Sequence, residues 1–244
     1  MRVTRVHADI ALEPGSDCIL PAATARHVAR VLRMRAGADL IVFNGSGYDY
    51  RCKLTNVEGR EARVRVLERM TGLGESPLGL KLVQAVSRGE RMDWTLQKAV
   101  ELGVHEIAPV LSSRCVVRLD DRQVTNRMRH WEGVVASACE QSGRSMLPIL
   151  RPPTELKAYL AQPASAGTRL VLSPSGPASL AGLSTIGKHV ELLVGPEGGL
   201  DEHEIAAAAD TGFKTVRLGP RILRTETAGI AALAVIQALW GDLQ

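Results

Sequence analysis

From residue 78 to residue 244, short apolar runs take turns with helical stretches, and this alternation constrains the fold more than any other feature of the sequence. The runs are Leu80–Val86, Ile107–Leu111, Leu147–Leu150, Leu170–Ser173, Val190–Val194 and Thr215–Leu218. Helical periodicity lies between them, near 91–102, 122–141, 154–161, 178–183, 202–211 and 226–240. A strand that is apolar throughout must be covered on both faces. The pattern therefore predicts an α/β domain with a mostly parallel sheet flanked by helices.

The first 70 residues follow a different rule. Arg2–Val6, Asp17–Leu20 and Asp39–Phe43 read as short strands, and Asn44-Gly45-Ser46-Gly47 is a turn cluster. Tyr48–Val57 and Ala62–Leu67 alternate apolar and polar residues in the period of a half-buried strand. One helix is expected, Ala22–Met34, with Ala25, Val28, Ala29 and Leu32 on its apolar face. These signals predict a small β-barrel with one helix over residues 1–70. Residues 71–77 (Thr-Gly-Leu-Gly-Glu-Ser-Pro) have linker chemistry, and the larger domain is expected over 78–244.

Several classes are set aside by composition. Aromatic residues are only 3% of the chain, so its cores must be built from Ala, Val, Leu and Ile. The longest apolar stretch, Ala228–Trp240, is broken by Gln237 and falls short of the roughly 18–20 residues a bilayer needs, so no membrane partner is expected. The amino-terminal residues carry Arg2, Arg5, His7 and Asp9, which is no secretory signal. Cys18, Cys52, Cys115 and Cys139 form no CxxC pair. They are expected to be free thiols in a reducing cytoplasm, and no metal site is expected. Neither His105-Glu106 nor His203-Glu204 has the second His that a zinc protease needs.

The net charge is +4, and its location says more than its size. Residues 1–70 hold twelve basic and eight acidic side chains, while the rest of the chain is balanced. Arg26, Arg30, Arg33 and Arg35 crowd into ten positions of that segment. Arginine makes forked contacts to phosphate, so a nucleic-acid face is one reading and an ordinary solvated helix face the other.

Two loops carry the strongest chemical signals. In Val190–Leu200 an apolar run stops at Gly195-Pro196-Glu197-Gly198-Gly199, and a helix follows. Asp201 can cap that helix with Glu204 three residues on, and Leu200 with Ile205 can form a hydrophobic staple. Ligands of open α/β sheets bind at the carboxyl ends of strands, which is where this loop falls. It is neither a phosphate loop nor a dinucleotide fingerprint, and Glu197 favours a cation or a donor-rich ligand. The second loop is Leu218-Gly219-Pro220-Arg221-Ile222-Leu223-Arg224, followed by a helix apolar nearly all round and hence buried in a core or a subunit interface. Arg224 at that helix start is opposed by the helix dipole. It reads as one half of an ion pair with Glu226, or as a guanidinium held for a substrate.

Six segments, taken in order, closely resemble the RsmE family, the ribosomal RNA small-subunit methyltransferases that make N3-methyluridine in 16S RNA. They are His27–Arg33 with Gly37, Gln97–Val104, Ser113-Arg114, Glu140–Arg144, Gly195–Gly199 and Leu218–Ala228. One departure is Arg88, where the family usually shows Lys. The resemblance implies a carboxyl-terminal SPOUT methyltransferase domain with a trefoil knot, an amino-terminal PUA-like domain that binds RNA, and a homodimer with its active sites at the subunit interface. It implies S-adenosylmethionine as cofactor, held by three loops, Ser173–Ser175, Gly195–Gly199 and Leu218–Thr227, with Ser173, Leu193, Val194, Gly195, Pro196, Glu197, Gly198, Gly199, Leu218, Gly219, Ile222, Leu223, Arg224 and Thr227 as the binding residues.

For catalysis, Arg224 is expected to stabilise the anion left when uridine N3 loses its proton. Glu226 or Glu197 is a candidate proton acceptor, and Arg144 is the next candidate after Arg224. RNA is expected on Arg26, Arg30 and Arg33. Two rivals stand beside this reading: a same-fold enzyme acting on a ribose 2′-hydroxyl or another base, and a non-catalytic RNA-binding assembly factor.

Overall fold

The computed structural model describes residues 3–58, 61–117, 120–163 and 166–243. The chain forms two compact units, one of residues 1–75 with 136–147 and one of residues 76–135 with 148–244.

The first unit is built on a five-stranded sheet. Its strands are β1 (Arg5–His7), β2 (Asp17–Ile19), β3 (Asp39–Phe43), β4 (Tyr48–Glu58) and β5 (Glu61–Thr71), in the order β1-β3-β4-β5-β2. β1 pairs β3 in parallel, and the other ladders are antiparallel. The alternation seen in the sequence becomes burial: Tyr50, Cys52 and Leu54 of β4 meet Ala62, Val64 and Val66 of β5 in one core with Leu40 and Val42. Tyr48 leaves that row and is exposed, with the Arg69 guanidinium 4.6 Å from its ring centre. The expected strand at Arg2–Val6 begins outside the described residues, and the observed β1 starts at Arg5.

The single helix is shorter than its apolar spacing predicts. α1 (Ala22–Arg26) runs into a π-helical turn, His27–Val31, in which the Leu32 N–H reaches back to the His27 carbonyl at 3.0 Å. Arg33 then adopts a left-handed φ of 52°, a conformation that ends helices, so the expected helix does not continue to Met34.

The boundary of this unit also differs from the expected one. Ser145 donates to Asp49 at 2.5 Å, the His7 N–H donates to Glu140 at 2.9 Å, and Arg144 Nε donates to Glu75 at 3.2 Å. Gly72 packs so closely that an added Cβ would lie 2.3 Å from the Ser145 hydroxyl. The first part of the expected linker is thus packed, the unit extends to residue 75, and it recruits residues 136–147 from far along the chain.

The second unit carries an eight-stranded, wholly parallel sheet. Its strands are β6 (Gly79–Ala85), β7 (Glu106–Leu111), β8 (Ile149–Leu150), β9 (Thr154–Glu155), β10 (Thr168–Leu172), β11 (Ala178–Ser179), β12 (His189–Val194) and β13 (Lys214–Arg217). Their order is β11-β13-β10-β12-β6-β7-β8, with β9 also on β7. Its helices are α2 (Glu90–Glu101), α4 (Leu156–Leu160), α5 (Glu202–Asp210) and α6 (Thr225–Trp240), while α3 (Asp121–Ser142) spans the division between the units.

Successive strand residues feed opposite layers, as a sheet covered on both faces requires. Leu80, Leu82, Val190 and Leu192 pack with Met92 and Leu96 of α2, Trp131 of α3, and Leu233 and Ile236 of α6. Val83, Ala85, Val171 and Leu193 pack with Leu156 and Leu160 of α4 and Ala208 of α5.

Two expected helices are altered. The stretch 154–161 opens with the strand pair Thr154–Glu155, and 178–183 is the strand pair Ala178–Ser179 followed by a 3-10 turn, Leu180–Gly182. Pairing of Ala178 with Val216 takes that backbone into the sheet edge. Among the described residues no helix is long and apolar enough to cross a membrane.

Candidate active site

Strands β13, β10 and β12 are neighbours, and the loops at their carboxyl ends enclose a cleft within the second unit. Leu172, Val194, Leu200, Ile205, Leu218, Leu223 and Ala228 give it an apolar wall. Ser173, Glu197 and Thr225 add polar groups, and Ser173 and Thr225 are buried.

The glycines of these loops serve different ends. Gly199 and Gly219 have φ near +69° and +68°, and a Cβ on either would meet no atom within 4 Å. They let the chain turn where side chains are strained, and they leave backbone facing open space. At Gly195 a Cβ would lie 2.9 Å from the Leu200 nitrogen, because the loop folds back on itself there. At Gly198 it would lie 3.2 Å from Arg114 Cβ.

Neighbouring elements fix the β12–α5 loop. Asp201 and Glu204 form the full capping box at the start of α5, at 2.8 and 3.0 Å. Ser113 extends it from the segment after β7, donating from its hydroxyl to Asp201 at 2.9 Å and from its N–H to Glu204 at 2.7 Å. Arg114 donates to the Gly198 carbonyl at 3.0 Å. Glu197 accepts from the Arg88 N–H at 3.1 Å and from Arg91 at 3.0 Å. Burial alone would raise the Glu197 carboxyl, but these donors and its own backbone N–H hold it below the usual carboxylate range. A carboxylate held in this way is a poor proton acceptor.

The α6 start is tied to the same loop. The Thr225 hydroxyl donates to the Gly195 carbonyl at 2.6 Å and accepts from Gln84 Nε2 at 3.1 Å. Arg224 stands at the N-cap position with an exposed side chain, and Thr227 is exposed as well. The expected Arg224–Glu226 pair is not what forms: Glu226 lies 3.9 Å from Arg91, with its second oxygen buried and free of hydrogen bonds. Glu226, in the first turn of α6, reaches Arg91 of α2, while Arg224 on extended backbone at the N-cap stays exposed.

Of the residues the resemblance assigned to a cofactor, Ser173, Val194, Gly195, Pro196, Glu197, Gly199, Leu218, Gly219, Ile222 and Leu223 line the cleft. Leu193 faces the α4–α5 layer, and Gly198 faces Arg114. The lining also includes Pro174, Arg221 and Thr225, which lie in the loops the resemblance maps to the cofactor, and Leu172, Leu200, Ile205 and Ala228, which sequence reasoning did not assign to a ligand. Thr225 had a legible signal, a hydroxyl residue at a helix start beside the loop, but its partners come from distant strands. Arg144 belongs to the first unit, buried and paired with Glu75.

In the first unit, Arg5, Arg51, Arg63 and Arg65 each have an acidic partner. Arg26, Arg30, Arg33 and Arg35 are exposed and make no ion pair among the described residues. These four arginines, between residues 26 and 35, therefore stand without an acidic partner among the described residues. Among the described residues no cluster of His, Cys, Asp or Glu has the makings of a metal site.

A parallel α/β sheet whose loops close a cleft at three adjacent strand ends defines an α/β protein with its site where such sheets bind ligands, and family models supply the class. An RNA methyltransferase domain matches residues 74–237, and an RNA methyltransferase PUA domain matches residues 20–67. The chain belongs to the RsmE family of ribosomal RNA small subunit methyltransferases. It is 33% identical to ribosomal RNA small subunit methyltransferase E of Buchnera aphidicola subsp. Schizaphis graminum, over 99% of this chain and 98% of that one. It is 40% identical to the Neisseria gonorrhoeae ribosomal RNA small subunit methyltransferase E solved with S-adenosyl methionine, with a TM-score of 0.92 and 100% of both chains covered. A Legionella pneumophila methyltransferase solved with the same cofactor is 37% identical, with a TM-score of 0.96 over 100% of both chains.

Proposed function

We propose that this protein transfers a methyl group from S-adenosylmethionine to N3 of a uridine in 16S ribosomal RNA of the small ribosomal subunit. The observation that carries the reading is the cleft itself: two glycine turns with open backbone, Gly199 after β12 and Gly219 after β13, on either side of β10 and set against an apolar wall. Such a cradle suits a ligand that combines an aromatic base, hydroxyls and a charged end, as this cofactor does. Ser173, the 195–199 loop and the 218–223 loop would hold it. When bound, the cofactor supplies a methyl group activated by attachment to a positively charged sulfur.

The chain's own residues supply the rest. Leu172, Val194, Leu218 and Leu223 exclude water from the cleft, and a dry site favours a reaction that neutralises opposite charges. Uridine N3 becomes nucleophilic only after losing its proton, when negative charge spreads onto O2 and O4. Arg224 can bridge such an anion through its forked donors, and the start of α6 adds a favourable dipole end. Of the two candidate acceptors, Glu197 is committed to Arg88 and Arg91, while Glu226 keeps an oxygen free of hydrogen bonds. That oxygen is buried, on a side chain beside Arg91 and outside the cleft lining, so the geometry assigns the N3 proton to neither carboxylate. RNA is gripped by the first unit through Arg26, Arg30 and Arg33, whose charges have no ion-pair partner among the described residues.

The trefoil knot, a homodimer and a cytoplasmic location belong to the same proposal. The dimer is supported by α6, whose apolar surface extends to the exposed Leu239. The test is mass mapping of small-subunit RNA after incubation with the protein and methyl-labelled cofactor. Label at N3 of one uridine is the expected result. Label on a ribose or another base, or no transfer at all, would overturn the reading.

A further inference from the structure

Gln84 is the penultimate residue of β6, completely buried, and no part of the cleft lining. Its amide nitrogen donates to the Ala85 carbonyl at 3.0 Å and to the Thr225 hydroxyl at 3.1 Å. A carbonyl can only accept, so Ala85 fixes which end of the amide faces this way. Thr225 Oγ1 therefore accepts a hydrogen bond from Gln84, and its own single hydrogen is left to point at the Gly195 carbonyl, 2.6 Å away. The chain of donors runs in one direction, from the sheet interior to the first residue of the β12–α5 loop.

The other end of the amide is less well served. Gln84 Oε1 is buried with no hydrogen-bond partner, and it lies 3.3 Å from where a Cβ on Gly229 would stand. A buried acceptor without a partner is a cost that an apolar side chain of equal length would avoid. The donor end explains why an amide stands there.

We propose that Gln84 is a positioning residue for methyl transfer: through the Thr225 hydroxyl it holds the Gly195 carbonyl and so sets the path of the cofactor loop. This rests on the reading of the cleft as the cofactor site. Neither Gln84 nor its amide touches the cleft, and its influence is carried by one hydroxyl orientation. Gly195 cannot be steered by a side chain of its own, because its Cβ position is filled by Leu200. The direction of its carbonyl is what remains to be fixed.

Calorimetric titration of S-adenosylmethionine into wild type, Thr225→Val, Thr225→Ser, Gln84→Met and the Gln84→Met/Thr225→Val double variant tests this, with thermal melts alongside. Thr225→Val keeps the shape and loses the hydroxyl, and should weaken binding about 5- to 30-fold, the value of one buried hydrogen bond. Thr225→Ser should return to within about twofold of wild type by the same arithmetic. Gln84→Met should weaken binding similarly, and the double variant should be no worse than the weaker single, since both break one chain.

Wild-type affinity in Thr225→Val, or losses that multiply in full in the double variant, would overturn the proposal. A wild-type protein that binds no cofactor would instead sink the cleft assignment, and this inference with it. If instability blocks calorimetry, amide exchange of the free Gln84→Met protein decides. Faster exchange confined to residues 195–200 supports the relay, and exchange unchanged there overturns it.

Discussion

Arg91 donates a 3.0 Å hydrogen bond to Glu197, and this pair joins the first turn of α2 to the loop after β12. Both side chains are partly exposed, so the pair is worth about 0.2–1 kcal/mol. Arg91→Ala should therefore weaken cofactor binding only about 2- to 5-fold. The pH dependence has a definite sign. A carboxyl held below its unfolded value stabilises the folded form above that value, and the benefit is lost as pH falls through the folded value. Cofactor affinity should thus show no step from Glu197 between about pH 6 and 8, and should weaken only below about pH 4. A step near neutrality that Glu197→Gln removes would contradict this.

What the sequence made legible was what is local. The capping box of Asp201 and Glu204 is written within four consecutive residues, and it formed as read. The strand runs and most helices followed from periodicity for the same reason. The errors lie where partners are distant. Asp49 and Ser145 are 96 residues apart, so nothing in either neighbourhood announces that 136–147 joins the first unit. Arg224 and Glu226 looked like partners because they are close in sequence, yet the helix turns Glu226 toward Arg91. The loop that holds Thr225 was legible but the role of its hydroxyl was not, because that role depends on Gln84 and Gly195 arriving from other strands.

Gly198 and Gly219 are the same residue type in two loops that border one cleft, and they should respond differently. A side chain at Gly219 projects toward the cleft from a φ of +68°. Strain of about 1–2 kcal/mol combines there with a group placed where ligand would lie. A side chain at Gly198 presses on Arg114 and acts only by loosening its bond to the Gly198 carbonyl. Calorimetry should find cofactor binding weakened roughly tenfold or more by Gly219→Val, and less by Gly198→Val. Equal losses would mean that Gly198 also faces the ligand.

Arg224 has an exposed side chain that caps nothing, so its removal should leave the fold intact. Arg224→Ala should bind cofactor almost as wild type does and slow methyl transfer by about 10²–10³, the usual effect of deleting one preorganised donor. Arg224→Lys should recover only part of the rate, because an ammonium cannot fork across two acceptors. Single-turnover measurements at saturating RNA and cofactor separate this from a binding defect. A wild-type rate in the alanine variant would exclude Arg224 from the chemistry.

The α1 turn offers the last test. Elsewhere in the first unit Arg51, Arg63 and Arg65 spend their charge on Glu68, Glu61 and Asp17. Arg26, Arg30 and Arg33 have no such partner among the described residues, and the left-handed turn at Arg33 ends the helix. Charges left free on one face are available to phosphates, and each phosphate neutralised contributes roughly one unit to the log–log salt slope of binding. Changing all three to Gln should weaken RNA binding and lower that slope by about two to three, with cofactor affinity unchanged. Because the substitutions are on exposed positions, thermal stability should move by no more than about 0.5 kcal/mol. An unchanged affinity with an unchanged slope would show that these arginines meet only solvent, and that RNA is held by another surface.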